Sequence, residues 1–125
     1  LSFYREADIF VHFCTTQPDG DKEGIPGVVV EAMASGLPVI STYHAGIPET
    51  ITDGEDGILL QEDDLDGLVR SLDVLCGDAE LRMRLGKAGA QHALKDLNLN
   101  VKTRNLEMIY DSLLPEFVSE KARSI

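Results

Sequence analysis

The hydrophobic positions of this chain fall in short runs divided by polar, Gly- and Pro-rich breaks, and their period changes along its length. Asp8-Ile-Phe-Val-His-Phe-Cys14 is mostly apolar, rich in β-formers and without alternation, as a buried parallel strand requires. From Thr15 to Pro26 the residues turn polar, with Gly and Pro among them, which predicts a long loop. The next run, Pro26-Gly-Val-Val-Val-Glu-Ala-Met-Ala-Ser-Gly36, reads as a helix. Pro26 is tolerated at a first helical position, because the N–H it lacks has no partner within the helix there. Gly36 is placed to end the helix from the C′ position. The three valines leave strand as an alternative for its first half, but Glu-Ala-Met-Ala and the flanking residues favour helix.

Pro38-Val-Ile-Ser-Thr42 predicts a second strand, followed by the loop Tyr43-His-Ala-Gly-Ile-Pro48. After the turn Asp53-Gly-Glu-Asp-Gly57, Ile58-Leu-Leu60 predicts a third. The period then becomes helical. Asp63 or Asp64 can N-cap a helix carrying Leu65, Leu68, Leu72 and Leu75, and Asp78 can cap another carrying Leu81, Leu85, Ala88 and His92. A further helix is expected from about Asn100, with Leu106, Ile109, Tyr110 and Leu113 before Pro115. This order is the later half of a doubly wound α/β fold: a Rossmann-like parallel sheet with helices on both faces, followed by terminal helices.

Composition narrows the partners. The 125 residues are expected to form one domain, and a start at Leu1 is expected of a piece of a longer protein. A net charge of −11 argues against nucleic acid, whose phosphates need basic patches, and against direct docking on anionic lipid. An anionic small ligand stays open if helix N-termini and backbone N–H groups hold it. Cys14 and Cys76 form no C-x-x-C pair, so neither a disulfide framework nor a zinc site is expected, and a reducing cytosol is. Cys14 reads as a small buried hydrophobe. No apolar stretch reaches the ~20 residues of a membrane span, and the start does not read as a signal peptide.

In an open parallel sheet, ligands bind at the carboxyl ends of the strands. The loops 15–26 and 43–48 both belong to that edge, and the first leads into a helix N-terminus, where free N–H groups and the dipole favour an anion. Glu23 precedes that helix and Glu31 lies within it, with seven residues between them. An unpaired carboxylate at Glu31, flanked by Val30, Ala32 and Met33, is costly, so a hydrogen-bonding role toward sugar hydroxyls is one reading and an exposed helix acid the other.

Glu23-Gly-Ile-Pro, Glu31-Ala-Met-Ala-Ser-Gly-Leu-Pro-Val-Ile-Ser-Thr42 and Gly46-Ile-Pro-Glu49 together closely resemble the C-terminal domain of the family 4 retaining glycosyltransferases of GT-B fold. The resemblance continues through Asp53-Gly-Glu-Asp-Gly-Ile-Leu-Leu60 and Asp78-Ala-Glu-Leu-Arg-Met-Arg-Leu-Gly86, to about Tyr110. With Pro26 and Tyr43-His-Ala-Gly the chain looks most like the exopolysaccharide enzymes of the colanic-acid and amylovoran type.

The resemblance implies a single partial domain over 1–125 that binds the donor nucleotide, with the acceptor domain and the basic diphosphate clamp upstream. It implies transfer of a hexosyl group from a UDP- or GDP-sugar to a polysaccharide or lipid-linked acceptor, with retention and without metal or cofactor. Glu31 would bind the ribose, and Glu23 would lie beside the donor sugar as the catalytic-site acid. Backbone N–H groups of Gly24, Ile25, Gly27 and Val28 would hold phosphate and sugar. Pro26 has no N–H to give where many relatives carry Gly. The whole enzyme would be cytoplasmic, and peripheral to the inner membrane where its acceptor is lipid-borne. The fragment alone would be inactive and bind donor weakly.

Other features have plainer readings. Asp19-Gly-Asp21-Lys-Glu23-Gly24 starts like a calcium loop, but its twelfth position is Val30 where Glu is required. The same Asp-Gly-Asp mimics a metal-binding D-x-D and reads as a solvated acidic loop. Asp63, Asp64 and Asp66 are helix-start acids. His12 is expected to be structural and His92 to be surface or partly buried. His44 is a candidate contact for donor or acceptor, and Glu49 is either a ligand contact or a helix-start acid. Ser41 lacks a G-x-S-x-G elbow. The competing readings are a GT-B sugar-nucleotide epimerase and a non-catalytic, receiver-like binding module.

Overall fold

The computed structural model describes residues 2–16 and 27–96. Within them, helix α1 (Ser2–Glu6) leads into strand β1 (Phe10–Val11), followed by helix α2 (Gly27–Ala34), strand β2 (Val39–Thr42), helix α3 (Ile47–Thr50), strand β3 (Ile58–Leu60), and helices α4 (Leu65–Gly77) and α5 (Ala79–Lys95). The sheet has the order β1-β2-β3 and is parallel throughout. Phe10 lies opposite Val39, and Ile40, Ser41 and Thr42 lie opposite Ile58, Leu59 and Leu60. The expected α/β architecture is present. The helix expected from Asn100 lies outside the described residues.

Strand alternation divides the core in two. One face presents Phe10, Val39 and Leu59 to Val29, Ala32 and Met33 of α2, Ile47 and Ile51 at α3, and Ala93 of α5. The other presents Ile40, Ile58 and Leu60 to Leu68, Leu72 and Leu75 of α4 and Leu81 and Leu85 of α5. The first half of α5 thus joins one cluster and its second half the other. Burying each of these large side chains contributes about 1.5–3 kcal/mol.

The valine run is helical, and α2 ends as expected at Gly36. That residue has φ +83°, its N–H donates to the Met33 carbonyl (3.0 Å), and the Leu37 N–H donates to Ala32 (3.2 Å). These are the paired bonds of a glycine C-cap in the left-handed region, where a Cβ is disfavoured. Asp64, not Asp63, caps α4 by accepting from the Gly67 N–H (2.9 Å), and Asp78 caps α5 by accepting from Leu81 (2.9 Å).

Three expectations need correction. The stretch 8–14 contains only a two-residue strand, continued by one ladder bond from the His12 N–H to Ile40. β1 is the edge strand of the described sheet, so Val11 stays exposed instead of buried. The loop after β2 ends earlier than expected: Ile47–Thr50 forms a single helical turn, with Pro48 near its start and Ile47 fully buried. Leu65, at the first position of α4, is exposed, and the buried face of that helix begins at Gly67.

Candidate functional site

The carboxyl ends of the three strands meet at one rim, where side chains take over from the backbone ladder. The Thr42 hydroxyl accepts from the Cys14 N–H (3.3 Å) and donates to the Cys14 carbonyl (3.0 Å), while the Ser41 hydroxyl donates to the carbonyl of His12 (2.8 Å). Ser41 and Thr42 are fully buried. Their hydroxyls satisfy backbone groups of a chain that has left the sheet, which would otherwise be costly to bury. Cys14 is half-buried rather than enclosed, and its Sγ lies 3.0 Å from Nδ1 of His12, whose ring lies parallel to that of Phe10.

Beyond Thr42 the backbone turns sharply. The His44 N–H donates to Thr42 (2.8 Å), the His44 carbonyl accepts from Ile47 (3.1 Å), and Ala45 adopts φ +49°. A non-glycine residue in the left-handed region is strained and persists where its surroundings fix it. The turn leaves His44 only 7% exposed, with Nδ1 2.8 Å from Glu62 Oε1. Glu62, two residues past β3, also accepts from the N–H (2.9 Å) and the hydroxyl (2.8 Å) of Thr16. One carboxylate therefore joins the chain segments that follow all three strands. The His44 hydrogen bond first, then the Thr16 N–H and hydroxyl, lower the Glu62 carboxyl to about 2, so it is ionised at neutral pH.

Glu62 was not among the residues singled out from sequence. It precedes Asp63, Asp64 and Asp66, which read as helix-start acids, and of these Asp64 supplies the N-cap. The available signal was its place just past β3, on the same rim as the other two loops.

The expected site residues fall into separate groups. Gly27 and Val28 open α2 and are exposed, and a Cβ on Gly27 would meet nothing within 4 Å. The first four N–H groups of such a helix have no acceptor within it. Glu31, in the second turn, is exposed and accepts a hydrogen bond from the Tyr4 hydroxyl (2.9 Å), beside a groove lined by Tyr4, Phe10 and Leu37. That bond raises the Tyr4 phenol above its ordinary 10.0. His44 belongs to the Glu62 group, and Glu49 is exposed in the first turn of α3. Glu23, Gly24 and Ile25 lie outside the described residues, as does the Asp19–Asp21 segment. Among the described residues no cluster of three or more His, Cys, Asp or Glu side chains could hold a metal ion, and no helix is long and apolar enough to cross a membrane.

A parallel α/β half-sheet with polar groups gathered at its carboxyl rim is the architecture of a small-ligand-binding Rossmann-like domain. Residues 1–92 match the family model described as glycosyl transferases group 1, and the chain belongs to that family. It is 39% identical over 112 residues to the amylovoran biosynthesis glycosyltransferase AmsK of Erwinia amylovora, covering 89% of this chain and 26% of AmsK. It is 36% identical over 109 residues to an Escherichia coli K12 protein named for colanic acid biosynthesis, the glycosyltransferase WcaL, covering 86% of this chain and 27% of that one. The chain thus spans about a quarter of the length of these curated relatives. Among solved structures, the C-terminal domain of the group 1 glycosyl transferase LpcC from Francisella tularensis superposes with a TM-score of 0.63 at 31% identity, over 77% of this chain and 46% of that one. Anabaena HepE, solved with UDP-glucose, shares the fold at a TM-score of 0.70 and 20% identity, over 98% of this chain and 29% of HepE.

Proposed function

We propose that this chain is the donor-nucleotide-binding part of a retaining glycosyltransferase that moves a hexosyl group from a UDP- or GDP-sugar onto a growing polysaccharide or lipid-linked oligosaccharide. The observation that carries this reading is the rim itself. The helix start at Gly27 and Val28, whose first N–H groups have no acceptor within the helix, follows β1 in the chain, as Thr16, His44 and Glu62 follow β1, β2 and β3. The names of AmsK and WcaL support the polysaccharide class.

In this reading the leaving diphosphate is held by the N–H groups opening α2 and by the helix dipole, which stabilise negative charge as it grows on the leaving oxygen. That accounts for an anion site in a chain of net charge −11. Glu31 accepts a ribose hydroxyl. A carboxylate has about four acceptor positions, so its bond from Tyr4 leaves capacity for a ligand. Glu23, with the N–H groups of Gly24 and Ile25, serves the sugar end, and Glu49 borders the site.

The test is nucleotide affinity by calorimetry in the whole protein. Glu31→Ala is expected to weaken UDP or GDP binding roughly ten- to hundredfold, the equivalent of a charged hydrogen bond of about 1.5–3 kcal/mol. An unchanged Kd would remove Glu31 from the site.

A further inference from the structure

We propose that Glu62 is a positioning residue of the donor site, anchored on Thr16 and holding His44 by Nδ1 so that Nε2 is set as the acceptor for a hydroxyl group of the sugar nucleotide. This rests on the donor-binding reading above and adds to it a residue and a tautomer.

The geometry divides the work between the two carboxylate oxygens. Oε2 takes the Thr16 N–H, and Oε1 takes both the Thr16 hydroxyl and Nδ1 of His44. The two bonds from Thr16 orient the carboxylate, and the third is the one it exerts on the ring. A carboxylate only accepts, so Nδ1 must carry the proton, and in the neutral ring Nε2 is then left with its lone pair. Such a nitrogen accepts from a hydroxyl, the group that a ribose or hexose offers in number. The ring has little freedom to choose otherwise, since it is nearly enclosed and its backbone is tied into the tight turn at Ala45. Surface acids that only cap a helix need none of these contacts, and here Asp64 already performs the capping. Glu62 reaches away from α4 to segments 18 and 46 residues distant in sequence.

Glu62→Gln tests this with almost no change in size. An amide has one accepting oxygen and one donating nitrogen. With its oxygen on the Thr16 N–H it turns an NH₂ group toward His44, which favours the opposite tautomer. The experiment uses the whole protein with UDP, GDP, UDP-glucose and GDP-mannose as probes. Long-range nitrogen–proton NMR of the ring should show His44 protonated at Nδ1 in the wild type and the tautomer displaced in E62Q. Donor KM should rise severalfold, up to about tenfold, the size of a lost hydrogen bond between neutral groups, with a much smaller change in kcat. Adding E62Q to H44A should bring no further loss.

An E62Q protein with wild-type nucleotide affinity would overturn the inference. So would an Nε2-protonated His44 in the wild type, or an E62Q effect that persists in full on the H44A background. Failure of the wild type to bind any of the four probes would instead overturn the donor reading beneath it, and this inference with it.

Discussion

His92 of α5 closes on Asp56 in the turn before β3, with Nδ1 2.6 Å from Oδ2, while Oδ1 of the same carboxylate accepts from the Thr52 N–H at 2.6 Å. Asp56 is buried and His92 half-buried, so this pair is a staple between the last described helix and the sheet. His92→Ala should lower unfolding stability by about 1–2 kcal/mol, within the range for hydrogen bonds to charged groups after allowance for partial exposure. Asp56→Ala should cost more, about 2–3 kcal/mol, because it also strands the Thr52 amide. Urea midpoints of the two variants check the order, and equal midpoints would refute the shared role of Asp56.

The contact of α5 with the α2–β2 connection depends on a missing side chain. A Cβ built on Gly86 would collide with the Gly36 carbonyl oxygen, and one on Gly89 would press on the Asp56 carbonyl at 3.1 Å. Backbone on both sides leaves no flexible group to yield. Gly86→Ala should therefore destabilise by about 1–3 kcal/mol, as overpacking does, although Ala is the better helix former. Gly77→Ala, whose Cβ meets nothing within 4 Å, serves as the control and should be neutral or stabilising. Thermal unfolding of the two single variants separates packing from propensity.

That same helix shows where sequence legibility ended. Its N-cap at Asp78 and its Leu85 contact follow from side-chain chemistry and period, and both could be read directly. Gly86 and Gly89 could not, because a glycine that permits close approach looks like a glycine that merely weakens a helix. The Gly36 cap was legible for the opposite reason, since a glycine ending a helical run has one common geometry. α1 and α3, of five and four residues, are too short for any period to declare them. Of the candidate site residues, Glu31 could be singled out but its partner Tyr4 could not, since 27 residues separate them and only the fold brings them together. Glu62 was hidden among neighbours whose ordinary role as helix-start acids explained them all.

Tyr4 reports directly on the state of Glu31. Its hydroxyl donates to a carboxylate, so ionising the phenol would lose the bond and set two negative charges together, which holds the phenol above 10.0. Glu31→Ala should return Tyr4 toward its ordinary value. Because the chain also contains Tyr43 and Tyr110, the measurement is carbon NMR of the Tyr4 ring between pH 9 and 12. A phenol that titrates identically with and without the Glu31 carboxylate would show that the bond is not formed in solution.

Acid should remove the Glu62 contribution to stability over a defined window. The folded carboxyl is lowered to about 2 from an ordinary 4.5, so the folded state holds the ionised form more strongly than the unfolded chain does. For a depressed carboxyl the stabilisation is fully present above the unfolded value and is lost as the pH falls toward the folded one. The stability gap between wild type and Glu62→Gln should therefore be fully present at about pH 5. Below 4.5 it should shrink steadily, because the glutamine does not titrate while the wild-type carboxylate is being neutralised. Urea unfolding at half-unit pH steps measures the gap. A gap that stays level down to pH 3 would mean that Thr16 and His44 do not hold the Glu62 carboxylate in the folded protein.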